Sequence, residues 1–179
     1  FSVVDSSGNA VAVTTTLNGA FGTSIVVDSA GFLLNNQMDD FSVKPGFPNM
    51  YSLVGGESNS VQPGKRMLSS MTPSIVEKGG KLFLVVGSPG GSTIPTSVFQ
   101  VIVNVIDFGM NIQDAVNSGR FHHQWLPDNI SYEKKSVDSV LIQKLERMGH
   151  VMGNRSAIGR VNAIMILPNG TIAGGPDPR

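Results

Sequence analysis

The chain contains no cysteine. Disulfides, thiolate zinc sites and a cysteine nucleophile are therefore excluded. Charge is also scarce: 15% of residues are charged, and 13 basic side chains cancel 13 acidic ones. A neutral chain offers no basic face, which argues against a nucleic acid or an anionic membrane as partner. No apolar run reaches membrane-spanning length, so no membrane segment is expected. Glycine, in contrast, is plentiful, with 21 among 179 residues. Low charge with abundant glycine implies a sheet-rich chain with many tight turns, or one that buries a broad face against a partner. The length suits one domain over residues 1–179, with no separate domains.

Phe1–Val4 reads as a strand already under way, which implies processing from a longer precursor or residues ahead of it. A turn at Asp5–Asn9 and a strand over Ala10–Leu17 complete a hairpin. Ser24–Val27 and Gly31–Leu34 form a second pair. Ser42–Arg66 shows no periodicity and holds Pro45, Pro48 and Pro63. A loop of that length is either a functional lid or a disordered insertion. Ser74–Val76 and Lys81–Val86 pair around Glu77–Gly80. Val98, Val101, Ile102, Val105 and Ile106 recur at helical spacing, Asn111 caps a short helix, and Val140, Leu141, Leu145 and Met148 mark another that Gly149 closes. Ile130–Glu133 is a further strand, Arg120–Pro127 reads as irregular, and Val161–Leu167 pairs with Thr171–Ala173 across an Asn-Gly turn. Hairpins with clustered helices predict an α+β layered fold rather than alternating βαβ units.

The most informative stretch is Leu33-Leu34-Asn35-Asn36-Gln37-Met38-Asp39-Asp40-Phe41. Side-chain amides and adjacent carboxylates at a strand end suit a small ammonium group: the acid neutralises it and the amides add direction. A polar strand end with an Asx-turn accounts for the same residues. The acid spacing and closing Glu of an EF-hand are absent. Gly87-Ser88-Pro89-Gly90-Gly91 lies between a strand and a helix. Paired glycines there can aim two N–H groups at a phosphate or a developing oxyanion, or form a plain tight turn. No Gly-Lys-Ser/Thr follows, so it is not a P-loop. Ser69-Ser70 can donate to a carboxylate or belong to a solvated loop. His122-His123 lacks a third ligand, so no metal is expected. Asn129, Asn154 and Asn169 each begin a glycosylation-type triplet.

Five motifs, in order, resemble the small subunit of the γ-glutamyltranspeptidase family. They are Gly8-Asn9-Ala10-Val11 with Thr14–Asn18, Leu34–Phe41, Leu68-Ser69-Ser70-Met71-Thr72-Pro73, Gly87-Ser88-Pro89-Gly90-Gly91-Ser92, and Arg120-Phe121-His122-His123-Gln124-Trp125-Leu126-Pro127. The resemblance covers nearly the whole chain.

It implies an N-terminal nucleophile hydrolase with an αββα sandwich, made by self-cleavage of a precursor whose large subunit stays bound. It implies a γ-glutamyl enzyme formed from glutathione or a related small molecule and passed to water or an amino acid, with no cofactor. A Thr bearing its own α-amine, titrating near neutrality, carries nucleophile and base together. That Thr is expected just before Phe1. By position, Thr16 supports the nucleophile, and Gly90 and Gly91 form the oxyanion hole. Asn18, Gln37 and Asp40 cradle the substrate α-amino group. Ser69 and Ser70 meet the α-carboxylate, with an Arg of the large subunit. Pro45–Gly56 with Tyr51 resembles the lid loop of bacterial members. Thr93 stands where many bacterial members have Arg, and Met67 where many have Pro. The chain also stops short of the family's usual tail. The resemblance further implies a periplasmic or secreted location. Rival readings are a relative acting on poly-γ-glutamate or a β-lactam side chain, and a non-enzymatic γ-glutamyl-binding paralogue.

Overall fold

The structure, a computed structural model, describes residues 1–179. In chain order the elements are β1 (Ser2–Val4), β2 (Ala10–Ala12), β3 (Val26–Val27), β4 (Phe32–Leu33), β5 (Ser74–Lys78) and β6 (Lys81–Gly87). There follow α1 (Ile94–Ile106), α2 (Ile112–Asn117), β7 (Phe121–His122), β8 (Ile130–Tyr132), α3 (Ser139–Arg147), β9 (Met152–Asn154), β10 (Asn162–Ile166) and β11 (Ile172–Gly175). The chain divides into two compact units, one of residues 1–14 with 70–179 and one of residues 15–69.

The larger unit is built on a four-stranded antiparallel sheet in the order β11-β10-β6-β5. Gly79 and Gly80, both at positive φ, make the tight β5–β6 turn, which a side chain there would strain. Along α1, Ile94, Val98, Val101 and Val105 fall on one stripe, and all four are buried. They pack with Leu84 and Val86 of β6, Ala163 of β10, and Ile112, Ala115 and Val116 of α2. Burying each of these larger aliphatic side chains stabilises the fold by about 1.5–3 kcal/mol. Asn111 caps α2 by accepting from Asp114 N at 2.9 Å, and Asp138 caps α3 by accepting from Leu141 N at 2.7 Å.

Residues alternate faces along β6, so Val85 points away from the helices, yet it too is buried. The β1–β2 hairpin lies against β5, β6 and β10, and Ser2 Oγ donates to Asn162 O at 3.3 Å. Helices, sheet and hairpin thus form layers, an α+β arrangement as expected. The second strand is shorter than expected, ending at Ala12. Phe121–His122, expected to be irregular, pairs with β8, and β9 joins β8 in parallel. Two- and three-residue strands carry no periodicity to read, and Gly153 lowers the strand signal of β9 further.

The smaller unit contains the two-residue strands β3 and β4 and short 3-10 turns at Gln37–Asp40 and Glu57–Asn59. Its only buried residues are Phe41 and Ser42. Order comes instead from side chains that bond the backbone. Asn49 Oδ1 accepts from Tyr51 N and Leu53 N, and Asn59 Nδ2 donates to Asp40 O at 2.8 Å. The aperiodic 42–66 segment is therefore a laced loop, bridged at Ser42–Ser60 and Pro48–Val54.

Candidate active site

In the smaller unit the chain leaves β4 through Asn35, whose Oδ1 accepts from Gln37 N at 2.9 Å. This Asx-type turn starts the 3-10 turn and sets Gln37 and Asp40 on one side of it. Gln37 Nε2 then donates to Asp40 Oδ2. Asp40 is half-buried and meets no cation. Burial pushes its carboxyl above the ordinary value, Asp39 pushes it the same way, and the Gln37 bond opposes both. Asn18, at φ 73°, is held on three sides. Its N–H donates to Thr16 Oγ1 at 2.8 Å, its Nδ2 to Asn36 O at 3.2 Å, and its carbonyl accepts from Tyr51 Oη at 2.7 Å. With that pattern Thr16 Oγ1 acts as acceptor and keeps its own proton to give. Burial, with Asp40 and Asp39 nearby, pushes the Tyr51 phenol upward, so it stays a donor.

These bonds leave one acceptor oxygen on each residue: Asn18 Oδ1, Gln37 Oε1 and Asp40 Oδ1. An ammonium has three N–H donors and no acceptor, so such a set matches it in number and charge. Asp39 has a different task. Its Oδ2 accepts from Met50 N at 3.1 Å and its carbonyl from Asn49 Nδ2 at 3.3 Å, which ties the 42–66 segment to the turn. A largely apolar cavity of about 280 Å³ adjoins Asp39 and Asp40, with Phe41, Phe47, Leu53 and Leu68 in its wall.

The glycine loop belongs to the larger unit. Gly90 has φ 144°, and a Cβ there would come within 2.6 Å of Thr93 Oγ1. Only glycine fits, for both reasons. The Gly90 and Gly91 N–H groups precede the first bond of the turn into α1, Thr93 N to Gly90 O at 3.1 Å. Buried hydroxyls shape the loop: Thr93 Oγ1 donates to Gly90 O at 2.9 Å and Ser97 Oγ to Thr93 O at 2.8 Å. Ser88 Oγ donates to Pro89 O and accepts from Arg160 N at 2.9 Å. Ser70 Oγ donates to Gly91 O at 3.2 Å, so one of the two expected carboxylate partners touches the glycine loop. Ser69, next to it in the chain, is exposed.

Sequence reading missed a buried ion network behind this loop. Arg120 NH1 meets Asp177 Oδ2 at 2.8 Å and Ile158 O at 3.0 Å. Arg179 reaches both Glu133, at 2.6 Å, and Asp177, at 2.9 Å. Glu133 Oε1 accepts from Ile158 N, and Asp177 Oδ2 from Val161 N. Residues 158–161 are thereby fixed, and Gly159 Cα lies 3.2 Å from where a Gly90 Cβ would stand. Burial works to raise Glu133, but hydrogen bonds from Arg179, Arg120 N and Ile158 N outweigh it and hold the carboxyl below its usual range. Asp177 behaves alike: burial raises it, and bonds from Arg179, Arg120 and Val161 N lower it further. Only the long sequence separations hid these partners.

His122 and His123 face different neighbours. His122 Nδ1 meets Thr96 Oγ1 at 2.8 Å and Nε2 meets Gln124 Oε1 at 2.9 Å, while His123 Nε2 lies 3.1 Å from Asp128. Burial pushes the His122 imidazole down, favouring its neutral form.

The model of the γ-glutamyltranspeptidase family matches residues 1–179. The chain is 56% identical to a glutathione hydrolase proenzyme of Escherichia coli K12, covering 100% of this chain and 31% of that protein. It is 49% identical to one of Pseudomonas aeruginosa, covering 93% of this chain and 30% of the relative. Its structure superposes on a chain of a Helicobacter pylori γ-glutamyltranspeptidase variant with a TM-score of 0.96 at 53% identity, covering 99% of this chain and 97% of that one. The chain thus spans about a third of the length of the curated relatives it matches. The α+β fold is that of the N-terminal nucleophile hydrolases.

Proposed function

The chain belongs to the γ-glutamyltranspeptidase family, and from that premise we propose that the full-length protein is a γ-glutamyl hydrolase and transferase. Its substrates are glutathione and related γ-glutamyl compounds. The observation that carries this reading is Asp40: a half-buried carboxylate, raised by burial, with an amide for a partner and no cation. A charge in that state is matched by a ligand ammonium.

In this reading the α-amino group is taken by Asn18, Gln37 and Asp40, and the α-carboxylate by Ser69 and Ser70 with an Arg of the large subunit. The nucleophile is the hydroxyl of an N-terminal Thr exposed by precursor cleavage, helped by Thr16. Its attack moves charge onto the carbonyl oxygen, which the N–H groups of Gly90 and Gly91 receive. The amine leaves, a γ-glutamyl ester remains, and water or an amino acid takes the acyl group. Tyr51 and its segment act as a lid. The network around Arg120 keeps residues 158–161 against the glycine loop, so it supports the oxyanion site without touching substrate. A large subunit from the same precursor and a periplasmic or secreted location complete the reading.

The test uses the full-length protein with a γ-glutamyl anilide. Rapid quenching and intact mass analysis should find a γ-glutamyl adduct on a small chain whose N-terminal residue is Thr. Turnover without an adduct, or full activity from a chain that begins at Phe1, would overturn the mechanism.

A further inference from the structure

We propose that Met50 is a positioning residue for substrate ammonium recognition, acting through the orientation of the Asn18 amide. The proposal rests on the γ-glutamyl reading above. Met50 Sδ lies 3.2 Å from Asn36 Nδ2 and 3.7 Å from Asn18 Nδ2. A thioether sulfur only accepts hydrogen bonds, so both amides present their NH2 groups to it. The rest of each amide agrees. Asn36 Oδ1 accepts from Gly19 N at 2.7 Å, and Asn18 Nδ2 also donates to Asn36 O at 3.2 Å. Fixing the NH2 of Asn18 inward on Met50 and Asn36 turns its Oδ1 outward. That oxygen is the atom an ammonium needs. A rotated Asn18 would instead aim NH2 at a cation.

The placement of Met50 supports this. Its backbone N–H is held by Asp39 Oδ2, the next residue sends its phenol to Asn18 O, and the Met50 methyl lies 3.5 Å from where a Gly19 Cβ would stand. The side chain therefore has a fixed seat over the cradle although 52% of its surface is exposed. Each sulfur bond is weak; one holds the Asn18 amide and the other holds the Asn36 residue whose carbonyl takes the same Asn18 NH2.

The test compares Met50→Leu and Met50→Gln in the full-length protein. Leu keeps the bulk and removes the acceptor. Gln is nearly isosteric and restores an acceptor oxygen. Met50→Leu should raise KM for a γ-glutamyl anilide about two- to tenfold, the range for one hydrogen bond, with kcat changed less. Met50→Gln should return KM towards the wild-type value. A glutaryl anilide, which lacks the α-amino group, should show no difference among the three proteins. Limited proteolysis of the 42–66 segment needs no substrate. It should proceed faster in Met50→Leu than in wild type or Met50→Gln, whatever the protein catalyses. If Leu matches wild type in both assays, or Gln is the worse variant in both, Met50 acts by packing alone and the proposal falls. A wild-type protein inert towards the anilide, with the proteolysis order intact, would instead strike the γ-glutamyl reading and leave the amide coupling standing.

Discussion

In the larger unit Asp177 pairs with two arginines and Glu133 with one, whereas Asp40 in the smaller unit lies beside an amide and another acid. All three carboxyls are at least partly withdrawn from water. Burial raises all three, and only the first two are brought back below their ordinary values by charged donors. The surroundings differ in the same sense. The larger unit has a continuous aliphatic core, and the smaller one buries only Phe41 and Ser42 and is ordered by polar side chains. A compensated acid inside a core is a structural device. On the proposed reading, an acid without a charged partner in a polar unit is a place for a positively charged ligand.

That contrast can be broken by removing one group from each side. The largest effect is expected from Arg120→Met, which leaves Asp177 with one arginine fewer in a buried site. Breaking a buried pair costs about 3–5 kcal/mol, so the loss should be plain in denaturant unfolding of the full-length protein. A change below about 1 kcal/mol would make the network ornamental, no stronger than a surface pair. The double variant Ser69→Ala with Ser70→Ala should cost about 1–3 kcal/mol in kcat/KM, the range for hydrogen bonds to a charged group. Substrates without the α-carboxylate should lose little. A uniform loss would point to misfolding of the glycine loop, which Ser70 touches.

The smallest effects concern pH and stability, and they have opposite signs in the two units. Glu133 and Asp177 are depressed in the fold, so their stabilisation is present above the unfolded values near 4 and disappears as pH falls through the lower folded values. Asp40 is raised, so its contribution is full below the ordinary value and is lost as pH rises through the raised one. Near neutral pH, Asp40→Asn should therefore leave Tm unchanged or slightly higher. A clear drop in Tm would mean that Asp40 is a structural acid like the other two.

Much of the contrast was legible in the sequence, but unevenly. The stripe Val98, Val101 and Val105 announced α1, and the Asn111 cap and Asn169-Gly170 turn carry local chemistry that needs no distant partner. The stretch Asn35–Asp40 was readable as both an Asx-turn and a cation site. The structure has the Asx-turn through Asn35, and the same turn aims Gln37 and Asp40. Asp39 and Asp40 look alike in sequence; bonds from Met50 N and Asn49 make the first an anchor, whereas the carboxylate of the second takes the Gln37 amide. The Arg120 network and the β8–β9 pairing depend on residues far apart in the chain, where no local pattern reaches. No sequence pattern marks Met50, whose contacts are made by sulfur lone pairs to residues 14 and 32 positions away.

The central claim is that Asp40 is held in wait for a substrate ammonium. The most direct test measures kcat/KM for wild type, Asp40→Asn and Asp39→Asn on a γ-glutamyl anilide and on the corresponding glutaryl anilide. Asp40→Asn should lose about 2–5 kcal/mol on the first substrate, the cost of leaving a desolvated charge unpaired, and little on the second. Asp39→Asn should lose much less on either. Equal losses from the two variants, or an equal loss on both substrates, would contradict the account.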